Sequence, residues 1–315
     1  MTVRRTGTTP PEPLRLLFEA VAGPLAGPAT AGAFWSGLRL VSVDGTTVDV
    51  PDTAANWERF GGPSTATAGG GRLPSAFPQV RMLVLAECGT RALIGARIGA
   101  YVTGEKTLTA GLLGKLDASM LVLADRNFPG YELWRDAAAT GAQLLWRVGA
   151  SFSLPIVHVL VDGSYLSRLT VPAGKEFHGQ EPAVVRVVEY QLQDPQGGEV
   201  SETFVLISTL LDPASAPAAD LGELYHRRWQ IETAIGALTS DLKGDGVVLR
   251  SKTPDGVEQE CWALLCAYHA VRDSITAAAN LTDRDPLSIS FTSALDAVRG
   301  PVGDPAAFPP SRSGR

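Results

Sequence analysis

Tyr225-His226-Arg227-Arg228-Trp229-Gln230-Ile231-Glu232 is the stretch on which the fold turns. It follows an apolar run, Thr203 to Leu211, and a Pro/Ala-rich turn, so the run reads as a strand and the stretch as a helix continuing to Lys243. At about 100° per residue, Tyr225, Arg228 and Glu232 share one narrow face. Trp229 falls on the next stripe, where it is expected to anchor the helix to a core. A carboxylate beside a guanidinium and a phenol makes a poor core and a good surface for handling phosphate. The ordinary alternative is a solvated helix with Arg228 and Glu232 as an i,i+4 pair. The rest of the chain separates the two.

The 315 residues are 45% hydrophobic and 19% charged, enough for one large domain with an insertion. No apolar run approaches the roughly 20 residues of a membrane span, and the N-terminus lacks the apolar segment of a signal peptide. The three cysteines, Cys88, Cys261 and Cys266, form no paired framework and fit a reducing cytoplasm. Cys261, Cys266 and His269 match no zinc spacing and read as buried groups on an amphipathic helix. A net charge of −6 argues against a wholesale basic nucleic-acid binder. It leaves room for an acidic site flanked by arginine, which supplies all but five of the basic residues. A GC-rich genome gives the same bias, together with the abundant Ala, Gly and Pro.

Upstream, acids fall where strands end. Arg39 to Asp52 reads as a strand, a tight Asp44-Gly45 turn and a second short strand. Val80 to Cys88 and Arg91 to Tyr101 read as a strand pair. Met120 to Asp125 reads as a buried strand ending in an acid, before a helix at Gly130 to Thr140. Asp125 lies a few residues too early to cap that helix. Gln143 to Val148 is another buried strand. From Phe152 to Glu202 short alternating runs separated by turns predict an all-β insertion. Gly69-Gly70-Gly71 lacks a following Gly-Lys-Ser/Thr and reads as a flexible loop, not a phosphate cradle. Val257 to Ala279 reads as a long amphipathic helix.

The expected organisation is therefore α/β. Residues 1–36 form an N-terminal remnant or linker with a short helix at Leu14 to Ala26. Residues 37–150 are the first part of the core and 151–202 the β-rich insertion. Residues 203–285 are the second part of the core, with the Glu232 helix, and 286–315 a partly disordered tail. Strand ends in one sheet can lie side by side, and a packed helix can bring a third acid to them. Asp44, Asp125 and Glu232 would repel one another unless a cation intervened. Hard oxygen donors suit Mg²⁺ or Mn²⁺, and two such ions suit in-line phosphoryl displacement.

Val43-Asp44-Gly45-Thr46-Thr47, Leu123-Ala124-Asp125-Arg126-Asn127-Phe128 and Tyr225…Arg228…Glu232, in that order and with a β insertion before the third block, resemble the DDE transposases of bacterial insertion sequences. More narrowly they resemble the insertion-sequence-four family, marked by Tyr-x2-Arg-x3-Glu-x6-Lys. The resemblance runs over about residues 14–280. It implies a ribonuclease-H-like mixed sheet flanked by helices, two divalent ions held by Asp44, Asp125 and Glu232, and cleavage and transfer of double-stranded DNA at element ends. A homodimer in a synaptic complex and a cytoplasmic, nucleoid-associated location go with it. Tyr225 and Arg228 would contact DNA phosphates, as would Arg126; Lys243, and apart from the resemblance Arg250 and Lys252, are further candidates for DNA contact.

Two departures stand out. Thr239 occupies the position of the signature lysine, and Lys243 returns to the same face four residues later. Only 43 residues precede Asp44, which reads as an N-terminal truncation. The rival reading is a degenerate remnant that keeps the fold and some DNA binding but not transposition. A metal-independent sugar hydrolase using a carboxylate pair and a pure binding module are the remaining alternatives, from other classes.

Overall fold

The structure is a computed structural model describing residues 10–66, 72–149, 152–191 and 203–302. In chain order the first elements are helix α1 (Glu12–Val21), strands β1 (Phe34–Trp35) and β2 (Leu38–Asp49), helix α2 (Ala54–Phe60) and strands β3 (Ser64–Ala66), β4 (Arg72–Pro74), β5 (Gln79–Glu87) and β6 (Leu93–Ala100). Helix α3 (Glu105–Ala110), β7 (Met120–Ala124), α4 (Tyr131–Ala139) and β8 (Gln143–Val148) follow. Strands β9 (His158–Val159), β10 (Tyr165–Leu169), β11 (Ala183–Gln191) and β12 (Thr203–Ser208) lead to α5 (Ala218–Tyr225), α6 (Trp229–Gly236), α7 (Pro254–Thr282) and α8 (Phe291–Val302).

One mixed sheet carries the molecule, in the order β6-β5-β2-β7-β8-β12-β11-β10-β9, with β1 on β2. Strands β2, β7 and β8 are mutually parallel and the other neighbours antiparallel. This is the ribonuclease-H-like mixed α/β architecture the sequence leads one to expect. The insertion strands β9, β10 and β11 do not form a sheet of their own. They extend the central sheet through β12, because an isolated short ribbon buries too little to stand alone.

Side-chain alternation gives the sheet two faces. On one, Val43, Val122, Ala124, Leu144 and Trp146 pack with Trp134 of α4, the two indoles edge to face at 5.1 Å. On the other, Leu40, Leu121, Leu123, Leu145 and Leu206 pack with Leu221, Leu224 and Tyr225 of α5. Further along this face Val48, Val80, Met82 and Val84 meet Ile231 and Ala234 of α6 and Trp262, Leu265 and Tyr268 of α7. Thr253 caps α7 by accepting from Gly256 N, with Pro254 at the first turn. Phe18 fixes α1 on Trp262, with ring centroids 5.4 Å apart.

Several sequence expectations are corrected. Asp44-Gly45 is not a turn. β2 is one twelve-residue strand, paired with β5 from Val41↔Glu87 to Asp49↔Gln79. A tight hairpin there needs positive φ, which Gly45 does not have. The β-branched run Thr46-Thr47-Val48 and the partner strand outweigh the local turn preference. The stretch from Tyr225 to Lys243 is not one uniform α-helix either. His226–Arg228 is a 3₁₀ turn between α5 and α6, and Ala237–Leu242 is π-wound. Trp229 does not anchor the helix: it is 59% exposed. The tail contains a 3₁₀ turn at Pro286–Ser288 and helix α8, whose Phe291 and Leu295 join the core. A small hairpin, β3–β4, stands in the Gly61 to Pro78 loop. Gly69-Gly70-Gly71, residues 1–9, the Pro195 to Gly198 turn and residues 303–315 lie outside the described residues.

Candidate active site

The first two acids are placed by sheet register. Strands β2 and β7 run parallel with Val43 opposite Ala124, so the residues that follow, Asp44 and Asp125, leave adjacent strands side by side. Alternation sends both to the face carrying α5, because Leu121 and Leu123 point there and Val43 and Ala124 point away. Asp44 accepts from its own neighbour, Gly45 N, at 2.8 Å. Asp125 accepts from Arg126 N, and Gly130, not Asp125, stands at the N-cap of α4.

Helices supply the third acid. The Tyr225 hydroxyl donates to Ala124 O at 3.3 Å, tying the end of α5 to the strand that bears Asp125. One 3₁₀ turn later the Arg228 Nη2 donates to Glu232 Oε1 at 2.6 Å, and its Nη1 lies 3.9 Å from Asp44 Oδ2. Glu232 and Asp44 thus flank one guanidinium. Asp125 also acts on Arg228 and on Tyr225 through its charge.

Tyr225 and Arg228 are 3% and 7% exposed. As placed, the phenol serves the fold and the guanidinium serves the acids; neither faces outward to a phosphate. Burial pushes the Tyr225 hydroxyl well above its ordinary pKa. Arg126 is exposed directly beside Asp125. The other basic candidates are not gathered here. Lys243 Nζ donates to the carbonyls of Gly244 and Val247, closing its own turn, so the face it was expected to share with Tyr225 is not the one it uses. Thr239 donates back to Ile235 O inside the π-wound segment. Arg250 and Lys252 are exposed on the segment whose Leu249 N bonds Asp49 O. That point is five residues along β2 from Asp44, about 17 Å at strand rise.

Two residues escape the sequence reading. Arg147 follows Trp146, which is paired with Ala124, and it shares the face of Leu145, so it stands next to Asp125 on the adjoining strand. Its guanidinium lies 4.0 Å over the Phe204 ring. The signal was an arginine inside an otherwise apolar strand, Leu144 to Val148. Glu105, in the first turn of α3, pairs with Arg81 at 2.9 Å and packs against Gly45 from the opposite face. A Cβ at residue 45 would meet Glu105 Oε1 at 2.7 Å. Gly45 is there for close approach, not for a turn.

Carboxylate oxygens are the donor type that a hard divalent cation takes. Burial raises the Asp44 carboxyl to about 6, with the charges of Glu105 and Glu232 adding to the effect and Gly45 N and Arg228 opposing it. A carboxyl in such surroundings ionises more readily beside a cation. Among the described residues no three His, Cys, Asp or Glu side chains are close enough to hold one ion as they stand, and Arg228 contacts both Asp44 and Glu232. Cys261, Cys266 and His269 likewise form no such group, and both Cys261 and His269 are buried in the core. Among the described residues no helix is long and apolar enough to cross a membrane.

Residues 35–269 match the family model described as the transposase DDE domain. Over 277 residues the chain is 30% identical to the transposase InsG for insertion sequence element IS4 of Escherichia coli (strain K12), covering 86% of this chain and 60% of that protein. Over 116 residues it is 26% identical to the putative transposase InsZ of the same organism, covering 37% of this chain and 38% of that one. The chain therefore spans less than two thirds of the length of either relative. The matched region holds Asp44, Asp125 and Glu232 within the ribonuclease-H-like sheet and its packed helix, and the chain belongs to the transposase DDE-domain family, in its IS4-like branch.

Proposed function

We propose that this chain is the catalytic core of an insertion-sequence transposase, acting on double-stranded DNA at element ends by strand cleavage and strand transfer. Asp44, Asp125 and Glu232 would hold Mg²⁺ or Mn²⁺, two ions in all. When bound, the ions supply charge neutralisation and activation of the attacking and leaving oxygens in a phosphoryl displacement. The observation that supports this reading is that Asp44 and Glu232 both contact the Arg228 guanidinium, while the pairing of Val43 with Ala124 sets the positions of Asp44 and Asp125 on neighbouring strands.

The protein's own groups have separate tasks. Asp44 lies in β2 and Asp125 directly follows β7, so the sheet would set two donor positions before substrate arrives. Tyr225 ties the end of α5, one 3₁₀ turn before the helix that carries Glu232, to the Asp125 strand. Arg126 and Arg147 flank Asp125 and are the basic groups best placed to meet a strand drawn toward it. In this reading a homodimer would bring two such sites to a pair of ends.

The test is cleavage of supercoiled plasmid carrying the element's own ends, with Mn²⁺ or Mg²⁺. Nicking by the wild-type chain that disappears in Asp125→Asn supports the reading. Metal-independent nicking, or nicking unaffected by that change, refutes it. Cleavage seen only after Thr239→Lys would mean the chain has lost activity with the signature lysine.

A further inference from the structure

We propose that Arg228 is the resident counter-ion of the acid cluster, competing with divalent cations for Asp44 and Glu232 until DNA draws it away. This rests on the reading of the three acids as a cation site. Its consequence is an order of events: cations bind weakly to the free protein and tightly once a DNA phosphate offers the guanidinium another partner.

The bonding of Arg228 sets it apart from an arginine that serves only the fold. Arg186 is also buried, and every nitrogen of its guanidinium is used. Its Nε donates to Ser164 Oγ, its Nη1 to the carbonyls of Leu210, Asp212 and Ala216, and its Nη2 to Asp162. Arg228 makes one hydrogen bond, to Glu232. Its Nε and Nη1 are buried and have no hydrogen-bond partner. Nη1 reaches Asp44 only as an ion-pair contact at 3.9 Å. Charge holds it, with hydrogen bonds left unmade, and a buried donor without a partner is costly. An arginine in that condition is disposed to move to a phosphate, which accepts two parallel N–H bonds.

The backbone around it is suited to such a move. Arg228 closes a 3₁₀ turn at the start of α6, and α6 passes into a π-wound segment. Changes of winding within a helix often accompany functional hinges. The rings of Tyr225 and Trp229 lie 5.9 and 6.0 Å from the guanidinium carbon, and Trp229 is exposed. One of the two rings beside the guanidinium is thus buried with it and the other reaches solvent.

Mn²⁺ binding decides the matter, followed by the resonance of free aquated Mn²⁺ and by calorimetry on the full chain, with and without a 20-base-pair duplex. Without DNA, Arg228→Gln should bind Mn²⁺ about ten-fold more tightly than wild type, within the usual range of coupling between sites. Arg228→Lys, which keeps the charge, should stay near wild type. Duplex DNA should tighten Mn²⁺ binding to wild type and change Arg228→Gln much less. Arg228→Met replaces Gln if the thermal melt of the Gln variant is not cooperative. Equal or weaker Mn²⁺ binding by a folded neutral variant overturns the proposal while leaving the acids as a cation site. Absence of any Mn²⁺ binding that Asp125→Asn abolishes overturns both.

Discussion

Val43 and Ala124 are partners across two parallel strands, and the acids that follow them emerge together on the face where α5 and α6 pack. Asp44 and Asp125 lie 81 positions apart in the sequence, yet one register pairing makes them neighbours. The third acid depends on a different contact, the Tyr225 hydroxyl on Ala124 O, which fixes the helix to the same strand end.

Neutralising any one of the acids should abolish metal-dependent nicking and leave the fold intact. Asp44→Asn, Asp125→Asn and Glu232→Gln are each expected to fall to background in a plasmid assay. Asp44→Asn should also unfold at a urea concentration no lower than wild type in the absence of metal, since it relieves a half-buried acid placed among other acids. A variant that nicks like wild type would remove its residue from the site.

Two glycines should respond unequally to alanine. A Cβ at Gly89 would lie 2.4 Å from Ala33 Cβ and 2.7 Å from its Cα, so backbone has to shift. At Gly45 the obstruction is the Glu105 side chain, which can swing. Overpacking costs about 1–3 kcal/mol; Gly89→Ala should sit at or above the top of that range and Gly45→Ala at the bottom. Urea unfolding of the two variants checks the order, and Glu105→Ala should relieve Gly45→Ala alone.

The Tyr225 hydroxyl is a single buried hydrogen bond, and Tyr225→Phe should cost about 0.5–1.5 kcal/mol. Chemical denaturation measures it. A loss of several kcal/mol would mean that the bond carries a wider network than its one acceptor.

His269 makes stability depend on pH. It is 4% exposed and its Nδ1 has no hydrogen-bond partner. Burial lowers its pKa, with the charge of Asp273 and the carbonyl of Val21 opposing. The folded protein therefore binds this proton less readily than the unfolded chain. The stabilisation is present above the unfolded value of about 6.5 and is lost as pH falls through and below it. Urea midpoints should fall between pH 7.5 and 5.5, and His269→Gln should flatten that fall.

Much of this was legible in the residues. Met120 to Asp125 announced a buried strand ending in an acid, and the spacing of Tyr225, Arg228 and Glu232 announced a shared helix face. Other readings failed where a distant partner overrode a local preference. Asp44-Gly45 has the chemistry of a tight turn, but β5 pairs with both sides of it. Trp229 has the hydrophobicity of an anchor, but the fold leaves it exposed. Lys243 has the charge for a phosphate contact, but the carbonyls at the end of its own helix are nearer.

By itself the sequence determined where most of the core strands and helices lie, that Met120 to Asp125 ends in an acid, and that three blocks of residues occur in the order of a DDE domain. Those properties follow from side-chain periodicity and backbone sterics acting over a few residues. Only the tertiary structure decided that Asp44 and Asp125 leave the sheet on the same face, that Arg147 joins them, and that the cation now standing between Asp44 and Glu232 is Arg228. Register, facing and burial are set by contacts between residues a hundred or so positions apart, and no local pattern encodes which partner will be there.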